Sequence, residues 1–239
     1  MLVDPNHLHR ARGVLVDLDG TLLTGGALVG GARELLASVA GRFAIVSNNA
    51  EHTPDELAAV LARLGLDVPA RRIVLAGTLA LELVARDRPG ARVMLLGSPS
   101  LHAFAAALGL AVDDRQPDVV VVGRDRRFSY ERLCLAANAV RAGAALVVAN
   151  PDLTHPGTAG SIVPETGAIL AAILACTGPT AHRIVGKPEH TLFLAGLEQL
   201  GCAPHEAVMI GDNVETDGRG AERLGMHFIR VQPHIEQLA

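Results

Sequence analysis

Two aspartates stand one residue apart where the apolar run VLVDLDGTLL (residues 14–23) gives out, with Gly20 and Thr21 directly behind them. Valine and leucine at this density suit a strand buried on both faces, and a carboxylate at its end is costly to bury unless it is paired or metal-bound. Other strand-like runs also end in polar groups: Ser47, Asn48 and Asn49 after FAIV, Lys187 in VGKPE, and Asp212, Asn213 and Asp217 in IGDNVETD. Each has an ordinary structural use when taken alone. A DxD pair makes a turn, Ser, Asn and Asp cap helices, and a lysine before proline is commonly solvated. Together they complement one another. Several carboxylates in one crevice repel unless a cation sits among them, and hard oxygen ligands suit Mg²⁺, which keeps several waters and takes one or two carboxylates plus a substrate phosphate. A lysine and a hydroxyl then serve the remaining phosphoryl oxygens. Such a set suits phosphoryl transfer, in which positioning and charge neutralisation dominate. One carboxylate can attack, and a second, two residues on, can protonate the leaving alkoxide and then deprotonate the attacking water. Asp17 and Asp19 divide those tasks between them.

That chemistry needs a fold that brings the four endings together. Short β-branched runs (GVLVDLD, FAIVSNN, RIVLAG, RVMLLGS, DVVVVGR, ALVVANP, HRIVGKP, AVMIGDN, HFIRVQ) alternate with segments of helical period such as PDELAAVLARLG and YERLCLAANAVRAG. Strands hydrophobic throughout and separated by helices predict a parallel sheet covered on both faces, an α/β class. Thr53 before Pro54, with Glu56 three residues after Thr53, reads as a helix start with proline at the first helical position. Open α/β sheets bind ligands at the carboxyl ends of their strands. The acid-, hydroxyl- and lysine-bearing endings fall on the first and last runs, whereas the middle runs end in LLGSPS, VVGRDRRF and VVANPDLTHPGT with no comparable acid pairing. The expected organisation is a discontinuous core domain, residues 1–76 and 182–239, interrupted by an inserted α/β domain over 77–181.

Composition narrows the function classes. The 239-residue chain is 49% hydrophobic but only 3% aromatic, without tryptophan, so its core is built from Ala, Val and Leu. A net charge of −4, with no basic tract, argues against nucleic acid as the main partner. Cys134, Cys176 and Cys202 share no close spacing, which fits neither a disulfide framework nor a zinc site and suits a reducing cytoplasm. The segment MLVDPNHLHRAR lacks an apolar signal core, and no stretch approaches the roughly 18 uncharged apolar residues of a membrane span. His7 and His9 within it read as solvated rather than as metal ligands. A soluble cytoplasmic protein with no membrane partner is expected.

The motifs DLDGTL, Ser47 at a strand end, GKPE with Lys187 and GDNVETD resemble, in this order, the motifs of the haloacid dehalogenase-like hydrolases. NNAEHTPDEL, VVVGRDRRFSYERL, VVANPD, PGTAGSIVPETGAI and VGKPEHTLF resemble the NagD-like and 4-nitrophenylphosphatase-like subgroup, subfamily IIA, over nearly the whole chain from about Gly13 to Val231. The resemblance implies a Rossmann-like parallel-sheet core with an inserted α/β cap of the C2 type. It implies a Mg²⁺-dependent phosphatase acting on small phosphomonoesters such as a sugar phosphate or nucleotide, through an aspartyl-phosphate. Asp17 then matches the nucleophile, and Asp19 the general acid/base, whose backbone carbonyl also binds Mg²⁺. Ser47 matches the second-motif hydroxyl, and Lys187 the lysine that offsets charge on the phosphoryl group. Asp212 matches the third protein ligand of the metal, with Asp217 and Asn213 in the shell around it. Ser47, Asn48, Asn49 and Lys187 match the substrate-phosphate contacts, and Asn150, Asp152 and His155 are candidate cap contacts. A homodimer is compatible with the same resemblance. The second motif departs from the family pattern in reading Ser47-Asn48-Asn49-Ala50, where many relatives have threonine first and serine last; the hydroxyl survives and one small contact at Ala50 is lost.

Competing readings use the same residues. A phosphoacceptor receiver module also sets acids, a hydroxyl and a lysine around Mg²⁺, but needs only about half this length. A non-hydrolytic phosphate-binding regulator on the same scaffold would not require the proton shuttle Asp19. A dinucleotide-dependent dehydrogenase is excluded because no GxGxxG follows the first strand.

Overall fold

The structure is a computed structural model that describes residue 8 and residues 10–157 and 160–232. His7 and His9 lie outside the described residues. The chain divides into two compact units, one comprising 1–47, 54–74 and 187–239, the other 48–53 and 75–186.

Strands of the first unit are β1 (Gly13–Val16), β4 (Phe43–Ser47), β5 (Ile73–Leu75), β13 (Ala207–Gly211) and β14 (His227–Arg230), with a small antiparallel hairpin of β2 (Leu23–Thr24) and β3 (Ala27–Leu28). They form a five-stranded sheet in the order β14–β13–β1–β4–β5. The ladders β13·β14, β1·β13 and β1·β4 are all parallel, with Val16 opposite both Ile210 and Ile45. β1 and β13 sit centrally and are buried along their whole length, which is why GVLV and AVMIG read as continuous apolar runs rather than alternating ones. The helix after Thr53 begins at Pro54 and runs to Arg63. A helix His190–Leu200 packs on β4 and β1. Phe193, on that helix, is fully buried.

The second unit repeats the logic. Strands β6 (Arg92–Leu96), β7 (Ala111–Val112), β8 (Val119–Val122), β9 (Ala145–Val148) and β12 (His182–Ile184) form a parallel sheet in the order β12–β9–β8–β6–β7. A two-stranded hairpin, β10 (Thr154–Pro156) with β11 (Ile162–Pro164), is antiparallel. Met94, Leu96, Val120, Val122 and Val148 pack against Ala136 and Val140 of the helix Tyr130–Arg141 and Ile169, Leu170 and Ile173 of the helix Thr166–Thr177. The buried members are small and branched aliphatic groups and one methionine, with Phe128 packed against them from the rim, as the aromatic-poor composition leads one to expect.

The expected division at 76/77 and 181/182 differs from the observed one. The run HRIVG belongs to the second unit, because β12 pairs with β9 and the ladder continues through Val185 N–H to Val148 O (3.0 Å) and Gly186 N–H to Ala149 O (2.7 Å). Residues 48–53 also belong there. Asn49 O accepts from Gly77 N–H at 3.1 Å, Ala50 O from Arg124 N–H at 2.9 Å, and Glu51 O from the Ser98 hydroxyl. The crossings between units therefore fall at 47/48, 53/54, 74/75 and 186/187.

Candidate active site at the carboxyl edge of the first sheet

Asp17 lies one residue past β1, where its N–H still donates to Ile210 O of β13 at 2.8 Å. That rung holds the residue at the strand end with its carboxylate buried (5% exposed), while Asp19, two residues on, is exposed. The alternation gives one aspartate a rigid, dry position and the other access to solvent. The chain turns tightly just after Asp19. Gly20 has φ +84°, and a Cβ there would fall 2.2 Å from Asp212 Oδ2, so only glycine lets the loop after β1 pass this close to the loop after β13.

Lys187 is 3% exposed, and its Nζ donates to Asp17 Oδ1 at 2.5 Å and to Asp217 Oδ1 at 2.7 Å. Asp217 is fully buried in the wide helical turn Val214–Gly218, and its second oxygen accepts from Asn213 N–H at 3.3 Å. Asn213 caps that turn through its side chain, accepting from Glu215 N–H at 2.9 Å. Ser47, the last residue of β4 and 1% exposed, places Oγ 3.5 Å from Asp19 Oδ2. Thr21, fully buried, donates to Asp17 Oδ2 at 3.3 Å. Thr21 stands inside the DLDGTL motif, four residues after Asp17, but its type and place alone assign it no role.

Carboxylate oxygens of Asp17, Asp212 and Asp217 lie within 4.8 Å of one another, close enough to hold a metal ion together. One ammonium cannot offset three carboxylates, and the electrostatics show it. Burial works against the Lys187 ammonium, but the charges of Asp17 and then Asp217 outweigh it and its pKa is raised. Burial pushes the Asp217 carboxyl up to about 7 despite the pull of Lys187, with Asp17 adding to the rise. The Asp212 carboxyl is also raised, first by burial and then by Asp17. An all-oxygen, acid-rich set with this unmet negative charge fits a hard divalent cation.

Asp17, Asp19, Ser47, Lys187, Asp212 and Asp217 thus come together within the first unit. Asn48 and Asn49 belong to the second. There Asn49 Oδ1 accepts from Glu51 N–H (3.1 Å) and His52 N–H (2.9 Å), and Asn48 Nδ2 donates to Asp152 Oδ2 at 2.9 Å. His155, on β10, pairs through Nδ1 with Glu165 Oε1 at 2.6 Å. Asn150 is 1% exposed and donates to Asn48 O at 2.6 Å, a use of this side chain that differs from the substrate contact expected of it.

Comparison with known proteins shows the family of the chain. A family model described as haloacid dehalogenase-like hydrolase matches residues 14–111, and one described as HAD-hydrolase-like matches 184–236. An acid sugar phosphatase of Staphylococcus aureus (strain USA300) is 32% identical over 228 residues, covering 94% of this chain and 87% of the relative. The crystal structure of a 4-nitrophenylphosphatase from Thermotoga maritima superposes with a TM-score of 0.89 at 30% identity, covering 97% of this chain and 90% of that one. A glycerol phosphate phosphatase from Mycobacterium tuberculosis in complex with magnesium gives a TM-score of 0.86 at 34% identity over 99% of this chain and 71% of that one. The same protein has also been solved in complex with calcium. With motifs, fold and acid cluster in agreement, the chain belongs to the haloacid dehalogenase-like hydrolases, among the NagD-like and 4-nitrophenylphosphatase-like phosphatases.

Proposed function

We propose that this chain is a Mg²⁺-dependent phosphatase that hydrolyses small phosphomonoesters of the sugar phosphate or glycerol phosphate kind through a phosphoryl group carried on Asp17. The observation that carries this reading is the buried Asp17–Lys187–Asp217 arrangement beside Asp212, with solvent-exposed Asp19 two residues from Asp17. A carboxylate oxygen of Asp17 attacks phosphorus as the P–O bond to the leaving alkoxide breaks, and Asp19 gives that alkoxide its proton. The Asp19 carboxylate then takes a proton from water, whose oxygen attacks the same phosphorus, freeing inorganic phosphate and restoring Asp17. Lys187 and the Ser47 hydroxyl donate to phosphoryl oxygens, and Asp217 fixes where the ammonium points. Asp17, Asp212 and the Asp19 backbone carbonyl would hold Mg²⁺, which when bound neutralises charge on the transferring phosphoryl group. Sugar phosphate and glycerol phosphate are suggested by the relatives in Staphylococcus aureus and Mycobacterium tuberculosis, an acid sugar phosphatase and a glycerol phosphate phosphatase.

No helix among the described residues is long and apolar enough to cross a membrane. Cys134, Cys176 and Cys202 are free thiols, as suits the reducing cytoplasmic setting proposed here. The reading is tested by phosphate release from a panel of sugar, polyol, nucleotide and aryl phosphates with Mg²⁺ or with chelator. Release that needs the metal supports it. An inert protein across the panel, with Mg²⁺ present, overturns it in favour of a phosphate-binding regulator.

The metal assignment makes its own prediction. Adding Mg²⁺ at about 100 times its dissociation constant should stabilise the fold by roughly 2.7 kcal/mol. Asp212→Asn should lose most of that stabilisation and shift the Mg²⁺ requirement for turnover upward about tenfold or more, with excess metal recovering part of the rate. An unchanged metal dependence, in melting and in kinetics alike, would contradict the role given to Asp212.

A further inference from the structure

The chain crosses between its units directly after Ser47 and directly before Lys187, so two of the phosphate-binding groups hang on the ends of crossings. Within the second unit those crossing ends are tied to each other. Asn150, 1% exposed, donates from Nδ2 to Asn48 O at 2.6 Å and lies 3.4 Å from Thr166 Oγ1 by the same nitrogen, while its Oδ1 accepts from Asp152 N–H at 3.0 Å. Asp152 in turn accepts from Asn48 Nδ2 at 2.9 Å. Gly186 completes the arrangement: its N–H donates to Ala149 O at 2.7 Å, and a Cβ on it would sit 2.4 Å from Asn48 Oδ1 and 3.1 Å from Asn150 Cβ. The backbone beside Ser47 is therefore held by one buried amide, and the backbone beside Lys187 is bonded to the residue that precedes Asn150 and passes too close to the Asn48 side chain to admit a Cβ.

We propose that Asn150, supported by Asp152, is a positioning residue for the phosphoryl-transfer site: it fixes the backbone of Asn48 to the strand end at Ala149, where Gly186 is also bonded, and thereby the adjoining Ser47 hydroxyl and Lys187 ammonium. Asn150 is not a substrate contact, because both ends of its amide are already used inside the second unit. The glycine at 186 has a steric reason of its own, since any side chain there would push Asn48 aside. This inference rests on the reading of Ser47 and Lys187 as phosphate-binding groups.

Two readouts test it, one of which needs no turnover. Asn150→Ala should lower kcat for 4-nitrophenyl phosphate at least tenfold, about 1.4 kcal/mol of transition-state stabilisation, with KM changed less than threefold. Gly186→Ala should act in the same direction. Asp152→Ala, which removes the acceptor for Asn48 Nδ2, should also act in that direction. In backbone amide spectra of Asn150→Ala, the resonances of Ser47 and Lys187 should move while those of Met209 and Ile210 stay in place. A kcat within twofold of wild type, or a loss carried wholly by KM, overturns the proposal, the latter making Asn150 a substrate contact. If the wild-type protein turns over no ester, the phosphatase reading fails by itself, and unmoved Ser47 and Lys187 resonances still overturn the positioning role. Should Asn150→Ala fail to fold, Asp152→Ala and Gly186→Ala carry both readouts.

Discussion

Asp17→Asn is expected to abolish turnover, by at least about 10⁴-fold in kcat/KM, or roughly 5 kcal/mol of transition-state stabilisation. Asparagine has the shape of aspartate but not its nucleophilic oxygen, so the covalent step has no acceptor for the phosphoryl group. The fold should survive the change. Lys187 keeps its 2.7 Å bond to Asp217, the introduced amide oxygen can still accept from the ammonium, and one of three mutually repelling carboxylates has been neutralised. The unfolding midpoint should therefore move by no more than about 4 °C, the shift that 1 kcal/mol gives in a chain of this size. Near-normal activity in this variant would refute covalent catalysis by Asp17. A collapsed midpoint would show instead that Asp17 is chiefly a structural partner of Lys187.

Lys187→Met should cost both activity and stability. The side chain is 3% exposed and supplies the ammonium to which Asp17 and Asp217 are both bonded. Removing one partner of a buried ionic group typically costs about 3–5 kcal/mol, which corresponds here to a fall in the melting midpoint of roughly 10 °C. The pH dependence separates this cause from simple loss of packing. Asp217 is already held up to about 7 by burial, and without the ammonium its carboxyl must rise further. A carboxyl whose folded pKa exceeds its unfolded value near 3.9 binds its proton more tightly in the folded state. Its stabilising contribution is complete below about pH 4 and is lost as pH rises through the folded value. In chelator, the variant should therefore lose more melting temperature between pH 5 and pH 8 than the wild type does. Added Mg²⁺ should recover part of the loss, because it neutralises the same acids. Identical pH slopes in the two proteins would argue that the lysine matters for packing alone.

Much of this site could be read from the chain because burying charge is expensive. A carboxylate at the end of a run as apolar as GVLV has to be compensated, and the groups that compensate it stand at the ends of other apolar runs. Asp17, Lys187 and Asp217 were legible on that ground, and all three are buried together. Division of the chain was less legible. HRIVGK looks locally like any buried strand leading to a functional lysine. Which sheet β12 joins is decided by its ladder to β9, a long-range property with no local mark, so the crossing falls after Gly186 and not before His182. For the same reason residues 48–53 fall inside the expected core segment 1–76, although their backbone bonds run to Gly77, Arg124 and Asn150. The hairpins escaped notice for a different reason. Strands of two or three residues, such as β2 with β3 across Gly25-Gly26, are too short to show any alternation. Roles set by contact geometry were hardest of all. Thr21 and Asn150 are polar residues of common type, and only their neighbours reveal that one bonds the proposed nucleophile and the other the backbone next to Ser47.

The covalent phosphoryl group on Asp17 is the central claim, and Asp19→Asn offers the most direct view of it. 4-Nitrophenolate leaves without needing a proton, so this variant should still phosphorylate Asp17 from 4-nitrophenyl phosphate. It lacks the carboxylate that deprotonates water, so the second step should stall. Mixing enzyme with excess 4-nitrophenyl phosphate and Mg²⁺, quenching in acid and measuring peptide masses should find one added phosphoryl group on the peptide carrying Asp17, matched by about one equivalent of released nitrophenol. Steady release of nitrophenol with no phosphoryl group on that peptide would mean that water attacks the ester directly, and the role given to Asp17 would be wrong.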